Sequence, residues 1–285
     1  MIDLHLHTDA SDGEHAPDVL MRLVRQAGIR ALSVTDHDTV EATATVATIA
    51  ARYDLDAVTG IEITAVHHEK DVHVLGYGFD AAAGTLGMFL RTQREDRIRR
   101  VVEMAERLAQ LGVPIDERTL LAAARERPGR SVGRPQVARA MVQAGRVATV
   151  REAFDRFLAT GRPGFVPRRG ATPATVVALI RQAGGVASLA HPGLLGRDDL
   201  IPSLIEAGLG AIEVYHTEHD RSTRRHYLAL ARANDLAVTG GSDYHGPHVR
   251  TGPRLGRSTL PRAEYERLRA RIDTHRQALA QGLGH

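Results

Sequence analysis

Near its start the chain carries Asp3-Leu-His5-Leu-His7-Thr-Asp-Ala-Ser-Asp12-Gly. Side chains two apart on a β-strand share a face, so His5 and His7 can grip one cation from a single rigid edge. Taken alone the pair has a plainer reading, two imidazoles lining a core and bonding to neighbours. It does not stand alone, because ligand-type residues recur at the ends of later apolar runs. They are Thr35-Asp36-His37-Asp38, Gly60-Ile-Glu62, Asp71-Val-His73, Ala190-His191-Pro192, Glu213 with Tyr215-His216, and Ser242-Asp243-Tyr244-His245. Imidazole and carboxylate together suit Mn2+, Fe2+ or Zn2+, whereas oxygen donors alone would suit Mg2+ or Ca2+. The chain has no cysteine, which removes zinc–thiolate sites, iron–sulfur centres and a thiol nucleophile.

The elements that must position these residues are short Val/Ile/Leu-rich runs alternating with helical patterns. Strands are expected at Ile2–His7, Ala31–Thr35, Ala57–Ile63, Val72–Tyr77, Val186–Ala190, Ala211–Tyr215 and Ala237–Gly241. Helices are expected at Pro17–Ala27, Val40–Arg52, Pro173–Ala183, Leu200–Ala207 and Arg221–Ala233, with Pro17 and Pro173 in first-turn positions. Seven strands with interleaved helices predict an α/β fold, a barrel of the (β/α) type, in which the carboxyl ends of the strands gather distant residues on one rim. From about Gly87 to Gly164 the rhythm breaks into helical patterns over a span far longer than a connection. Residues 1–88 and 165–285 are therefore read as the barrel and 89–164 as a helical insertion. Residues 262–281 read as a charged amphipathic closing helix.

In order and spacing, His5-Leu-His7, Asp12, Thr35-Asp36-His37-Asp38, Gly60-Ile-Glu62, His73-Val-Leu-Gly-Tyr, Leu189-Ala-His191-Pro192 and Ser242-Asp243-Tyr244-His245 resemble the polymerase and histidinol phosphatase (PHP) family of metal-dependent phosphoesterases. The resemblance runs along nearly the whole chain. It implies a distorted seven-stranded, TIM-like (β/α) barrel holding three divalent ions, with Mn2+ expected and Zn2+ or Fe2+ as alternatives. Carried over position by position, His5, His7, Glu62 and Asp243 would hold the first ion. Glu62, His73 and His191 would hold the second, with Glu62 bridging, and Asp12, His37 and His245 the third. A metal-bound hydroxide would then attack phosphorus in line, with no side-chain nucleophile. Asp36 and Asp38 flank His37 and would either orient ligand imidazoles or, for Asp38, cap the following helix.

Within the family, Ser131-Val-Gly-Arg134-Pro135 and Gly161-Arg162-Pro163-Gly-Phe-Val-Pro resemble the branch that removes the 3′-phosphate of nucleoside 3′,5′-bisphosphates, relatives of which trim short RNA from the 5′ end. In that branch the insertion covers the barrel mouth and helps hold the second phosphate. By that likeness Ser131, Arg134, Gln136 and Arg168 would bind substrate, with Arg169 an alternative to Arg168. Gln136 departs from the branch, which has His there, and brings no charge. His216, with Tyr215, His219 and Tyr244, would stack on a base or bond to ribose, or else simply pack. Rival readings are a 5′→3′ exoribonuclease on short oligonucleotides, a sugar-phosphate or histidinol-phosphate phosphatase, and a non-catalytic metal module serving a polymerase.

The bulk properties constrain the partners. A net charge of +3 and a pI near 9.6 favour acidic ligands only weakly. Lys70 is the only lysine, so a phosphate clamp here must be built from guanidinium forks. Aromatic residues make up 4% of the chain, too few for a long single-strand stacking platform. A long RNA footprint is thereby disfavoured; the resemblance implies a small nucleotide or a short RNA end as partner, and no stable protein partner is expected. No run approaches the roughly 18 apolar residues of a membrane span, and a cytoplasmic location is expected.

Overall fold

A computed structural model describes residues 1–247 and 254–281; the closing part of the expected barrel, 282–285, and the stretch 248–253 lie outside them. The strands are β1 (Ile2–Leu6), β2 (Ala31–Val34), β3 (Asp56–Ala57), β4 (Gly60–His67), β5 (Lys70–Tyr77), β6 (Val186–Leu189), β7 (Ala211–Tyr215) and β8 (Ala237–Gly240). They form a three-stranded sheet, β1-β2-β3, and a five-stranded sheet, β4-β5-β6-β7-β8. Single bridges, Leu6 to Tyr244 and His37 to Glu62, join the two at both seams. Seven strands thus make a distorted barrel with β3 as a two-residue spur on β2.

One expected strand divides. Ala57–Ile63 is interrupted at Val58-Thr59, leaving β3 on the outside and β4 on the ring. The alternation of parallel βα units also fails at one place: β4 and β5 form an antiparallel hairpin, with Glu62 opposite Leu75 and Thr64 opposite His73. Its turn residues His68 and Glu69 have φ of 47° and 63°, and a two-residue connection of that hand cannot cross over a sheet. β5 then pairs antiparallel with β6, and β6, β7 and β8 run parallel.

Helices α1 (Pro17–Gln26) and α2 (Thr43–Arg52) cover the first sheet. α1 opens on Pro17, whose missing N–H costs nothing in a first turn. Its Leu20, Met21 and Val24 meet Leu6, Leu32 and Val34 in one apolar cluster. Helices α3 (Gly84–Gln110), α4 (Glu117–Glu126), α5 (Arg134–Gln143) and α6 (Val150–Ala153) follow, the last running into a π-helical turn at Phe154–Leu158. They bury a cluster of their own, including Val101, Met104, Leu108, Val137, Met141 and Phe157. The segment is tied to the barrel loops by polar contacts: Arg127 bonds to Asp9 and Glu41 at 2.9 and 2.7 Å, and Ser131 N donates to Ala10 O at 2.8 Å.

The chain returns through α7 (Pro173–Gln182), α8 (Pro192–Leu195), α9 (Ile201–Glu206) and α10 (Arg221–Ala233) to α11 (Arg262–Ala280). Thr172 and Asp220 cap α7 and α10 by accepting from the backbone three residues on. α11 lays Tyr265, Leu268 and Ile272 on the main core with the inward residues of β4 to β8. No described helix is long and apolar enough to cross a membrane.

Candidate metal centre

The carboxyl end of β1 points His5 and His7 into the ring, both buried. Their close approach to β8 requires Gly241, where an added Cβ would lie 2.4 Å from His5 N. Asp3, on the same face of β1, accepts from Ser242 N at 2.8 Å and so fixes the turn that presents Asp243. Burial raises the Asp3 carboxyl to about 6 against these hydrogen bonds. Asp38, His191 and Asp243 have φ of 52°, 26° and 55°. Left-handed backbone at non-glycine residues costs roughly 1–3 kcal/mol each, a cost concentrated here in the loops that follow β2, β6 and β8.

Glu62, buried on β4, stands at the centre. Its Oε2 lies 3.2 Å from His5 Nε2, 3.2 Å from His7 Nε2 and 3.3 Å from His37 Nδ1. Its Oε1 lies 2.7 Å from His73 Nδ1 and 3.2 Å from His191 Nε2. One carboxylate therefore serves two sets of imidazoles on opposite sides. His7 Nε2 is also 3.3 Å from Asp243 Oδ1, and His245 Nε2 is 3.2 Å from Asp12 Oδ1.

Three groups have ligand atoms all within 4.8 Å of one another: His5, His7, Glu62 and Asp243; His7, Asp12, His37 and His245; and His37, Glu62 and His73. The first is the set expected for the first ion. The second contains the expected third set and adds His7. The third brings His37 to Glu62 and His73, while the expected member His191 meets Glu62 at Oε1. All nine residues expected to ligate metal thus lie in one connected cluster.

The donors fit divalent cations. His7 Nδ1 is buried without a hydrogen-bond partner, and His7 Nε2, His37 Nδ1 and His73 Nδ1 converge on carboxylate oxygens at 2.7–3.3 Å, a crowding of nitrogen and oxygen donors that a cation would satisfy. Burial alone would raise the carboxyls, yet the surrounding imidazoles hold Asp12, Glu62 and Asp243 well below the usual carboxylate range. Burial opposes the imidazolium, but Asp243 and Glu62 raise His7 to about 10. At His37 burial prevails and the ring falls to about 3. Cations would thus meet ionised carboxylates and compete with protons at His7.

A family profile described as PHP domain matches residues 3–158. The chain belongs to the PHP domain family. Two relatives match the chain over most of their length. A 5′–3′ exoribonuclease of Escherichia coli K12 is 32% identical over 252 residues, covering 86% of this chain and 85% of the relative. A 3′,5′-nucleoside bisphosphate phosphatase of Chromobacterium violaceum is 32% identical over 256 residues, covering 86% and 87%. A solved structure from Bifidobacterium adolescentis, named for metal-dependent phosphoesterase function, superimposes with a TM-score of 0.88 at 31% identity, covering 95% and 96% of the two chains. A PHP phosphoesterase is a hydrolase of phosphoesters, and the buried His, Asp and Glu groups support divalent metal binding in this one.

Glu213, part of no expected ligand set, is fully buried on β7; its Oε1 lies 2.9 Å from His5 Nδ1 and its Oε2 accepts from His191 N at 2.7 Å. Burial would raise its carboxyl, but His5 holds it lowered. An ionised Glu213 can only accept, so His5 donates from Nδ1 and turns Nε2 toward Glu62. Second-layer partners of this kind typically control metal affinity by about 10- to 100-fold. Glu213→Gln is expected to lose that much manganese affinity, read as metal retained after dialysis against a chelator, with activity recovered in excess Mn2+. Activity that excess metal does not recover would contradict this role. The sequence signal was a lone acid in the apolar strand Ala211-Ile-Glu-Val-Tyr.

Neither flanking aspartate orients a ligand imidazole. Asp36 accepts from Thr8 N, Thr8 Oγ1 and Ser11 Oγ at 2.8, 2.5 and 2.6 Å, shaping the loop that carries Asp12. Asp38 is not the cap of α2, which starts at Thr43; it binds Thr64 N, Arg97 and Arg168.

The expected substrate residues separate. Arg134, at the start of α5, bonds to Asp71 Oδ2 at 2.8 Å, and Arg168 lies 3.1 Å from Asp38 and 3.8 Å from Asp71. Arg169 is exposed, whereas Arg168 is buried. Ser131 Oγ is buried without a hydrogen-bond partner. Gln136 has both ends of its amide on backbone, accepting from Gly133 N and donating to Ser11 O, because it closes the N-terminus of α5. His216 is buried, with Nε2 3.5 Å from Asp243 Oδ2, so its ring is not at a surface where a base could stack. His219 bonds to Val214 O and Gly193 N, and Tyr244 packs in the core around Leu6.

Proposed function

We propose that this PHP protein hydrolyses the 3′-phosphate of nucleoside 3′,5′-bisphosphates such as pAp, yielding AMP and phosphate, with three divalent ions, Mn2+ foremost, in the cluster. Held there, divalent cations would acidify water and neutralise the phosphoryl oxygens. The chain's own residues carry the rest. His5, His7, Glu62 and Asp243, Glu62, His73 and His191, and Asp12, His37 and His245 would form the three ligand sets. Glu213 and Asp3 hold His5 and the Asp243 turn in register. Asp36 secures the loop of Asp12.

The observation that carries the substrate is the arginine-lined wall beside His73. Asp71 and His73 are two residues apart on β5, so they share a face about 7 Å apart, the scale of a single ribose. Asp71 is ringed by Arg134 and Arg168, with Arg100 behind them. A phosphate at the metal cluster and another at this wall match the two ends of one nucleotide. Arg134 and Arg168 would hold the 5′-phosphate, with Ser131 Oγ as a further donor. The Chromobacterium violaceum relative's name supports the same reading.

The E. coli relative's name supports a second reading, 5′→3′ removal of nucleotides from short RNA at the same site. Both are tested by phosphate and nucleotide release from manganese-loaded protein. The substrates are adenosine 3′,5′-bisphosphate, 3′-AMP, 5′-AMP and a 5′-phosphorylated dinucleotide. The expected result is 5′-AMP from the bisphosphate at a rate far above either monophosphate. Turnover of the dinucleotide alone would install the second reading, and turnover of a monophosphate alone would remove the wall from the account.

A further inference from the structure

Four guanidinium groups, those of Arg97, Arg100, Arg134 and Arg168, share the wall beside His73 with two carboxylates, Asp38 and Asp71. Asp38 is fully committed: it accepts from Arg97 Nε at 2.6 Å, Arg168 Nη1 at 3.1 Å and Thr64 N at 2.9 Å, with no exposed side-chain surface. Asp71 is different. It holds one Nη of Arg134 at 2.8 Å, stands 3.8 Å from Arg168 Nε, and its side chain is 18% exposed beside Arg134 at 23%. This pair lies where solvent and ligand reach the wall.

Arg97 spends its Nη groups on Val132 O and Thr64 Oγ1, but two other donors of the wall are unmatched. Arg100 gives Nε to Val166 O at 2.7 Å, but its Nη2 is buried without a hydrogen-bond partner, as is Arg168 Nε. Leaving such guanidinium N–H groups unmade is costly, and an anion's oxygens can complete them with charge-assisted bonds. Four positive and two negative groups leave the wall two charges positive, a match for one phosphate monoester.

That match creates a problem for turnover. In the proposed reaction substrate and product carry the same second phosphate, so every contact to it binds both equally. Uniform binding lowers KM and slows departure without speeding the chemical step.

We propose that Asp71 is a resident counter-charge that tempers the arginine wall: it holds the Arg134 fork in the free enzyme, yields it to the incoming phosphate and recaptures it as the product leaves. The inference rests on the bisphosphate reading above. Asp71 is a positioning residue, since it acts through Arg134 and Arg168.

The test uses the full-length manganese-loaded protein and its Asp71→Asn, Asp71→Glu and Arg134→Ala variants, with calorimetric binding of 5′-AMP and rapid-quench turnover of adenosine 3′,5′-bisphosphate. Asparagine keeps the shape of Asp71 and an acceptor for Arg134 while removing the charge, and matching thermal melts confirm that the variant folds. Asp71→Asn is expected to bind 5′-AMP roughly tenfold more tightly. It should also lower KM, lower kcat and show a burst of phosphate release as product departure becomes limiting. Asp71→Glu is expected to return toward wild type. Weaker 5′-AMP binding and a higher KM at unchanged kcat would overturn the inference and make Asp71 an orienting group only. If Arg134→Ala weakens 5′-AMP binding while Asp71→Asn leaves it unchanged, the inference alone falls. If Arg134→Ala does not weaken it, the second-phosphate reading falls too.

Discussion

Glu62→Gln is expected to strip most of the bound metal and lower phosphoesterase activity by about 10³-fold or more. The two oxygens of Glu62 face five imidazoles, His5, His7 and His37 on one side and His73 and His191 on the other. An amide has one acceptor and one donor, so it can serve only one side. Its NH2 would oppose a cation and the rings beside it. The charge is also lost where it matters most, because Glu62 is buried yet the imidazoles around it keep its carboxyl well below the usual range. Truncating one member of a buried charged set leaves the others uncompensated. Metal content by elemental analysis, alongside phosphate release with excess Mn2+, checks the prediction. Full metal content with activity near wild type would show that Glu62 is not the shared ligand.

Arg134→Ala is expected to lower kcat/KM for adenosine 3′,5′-bisphosphate by about 30- to 100-fold, the scale of one lost charge-assisted contact to phosphate. Turnover of 3′-AMP, which lacks the second phosphate, should stay within about twofold. Arg134 is partly exposed and its stability cost should be small. Its guanidinium lies 5.7 Å from the Phe165 ring and 6.0 Å from that of Phe154, and these faces keep the fork in place. Arg134→Lys keeps the charge but not the planar fork, so it should fall between the two. Steady-state kinetics on both substrates decide the matter. An equal loss on 3′-AMP would mean that Arg134 supports the metal cluster, through Asp71 and the strand that bears His73, and does not read a second phosphate.

Much of this protein was legible along the chain because the relevant physics is short-range. Short Val/Ile/Leu-rich runs mark β1, β2 and β6 to β8 within a residue or so of their observed ends, and prolines mark the starts of α1 and α7. The two-residue period of a strand puts His5 with His7 on one face. Where expectation and structure part, a contact distant in sequence decides. The turn at His68-Glu69 converts a βα unit into a hairpin, and Gln136 is spent on Ser11 O, 125 residues away. Asp38 faces Arg97 and Arg168 from α3 and the segment after α6, and nothing in an arginine-rich chain singles those arginines out.

The sequence by itself determined the strand and helix pattern, the donor types and their placement at strand ends, because these depend on residue identity and the geometry of one element. Only the tertiary structure decided that His37 joins His5, His7, His73 and His191 around Glu62, that Glu213 orients His5, and that Asp71 stands among the arginines beside the cluster. Those arrangements are Coulombic and steric relations between strands that meet only when the ring closes, at positions that no local propensity encodes.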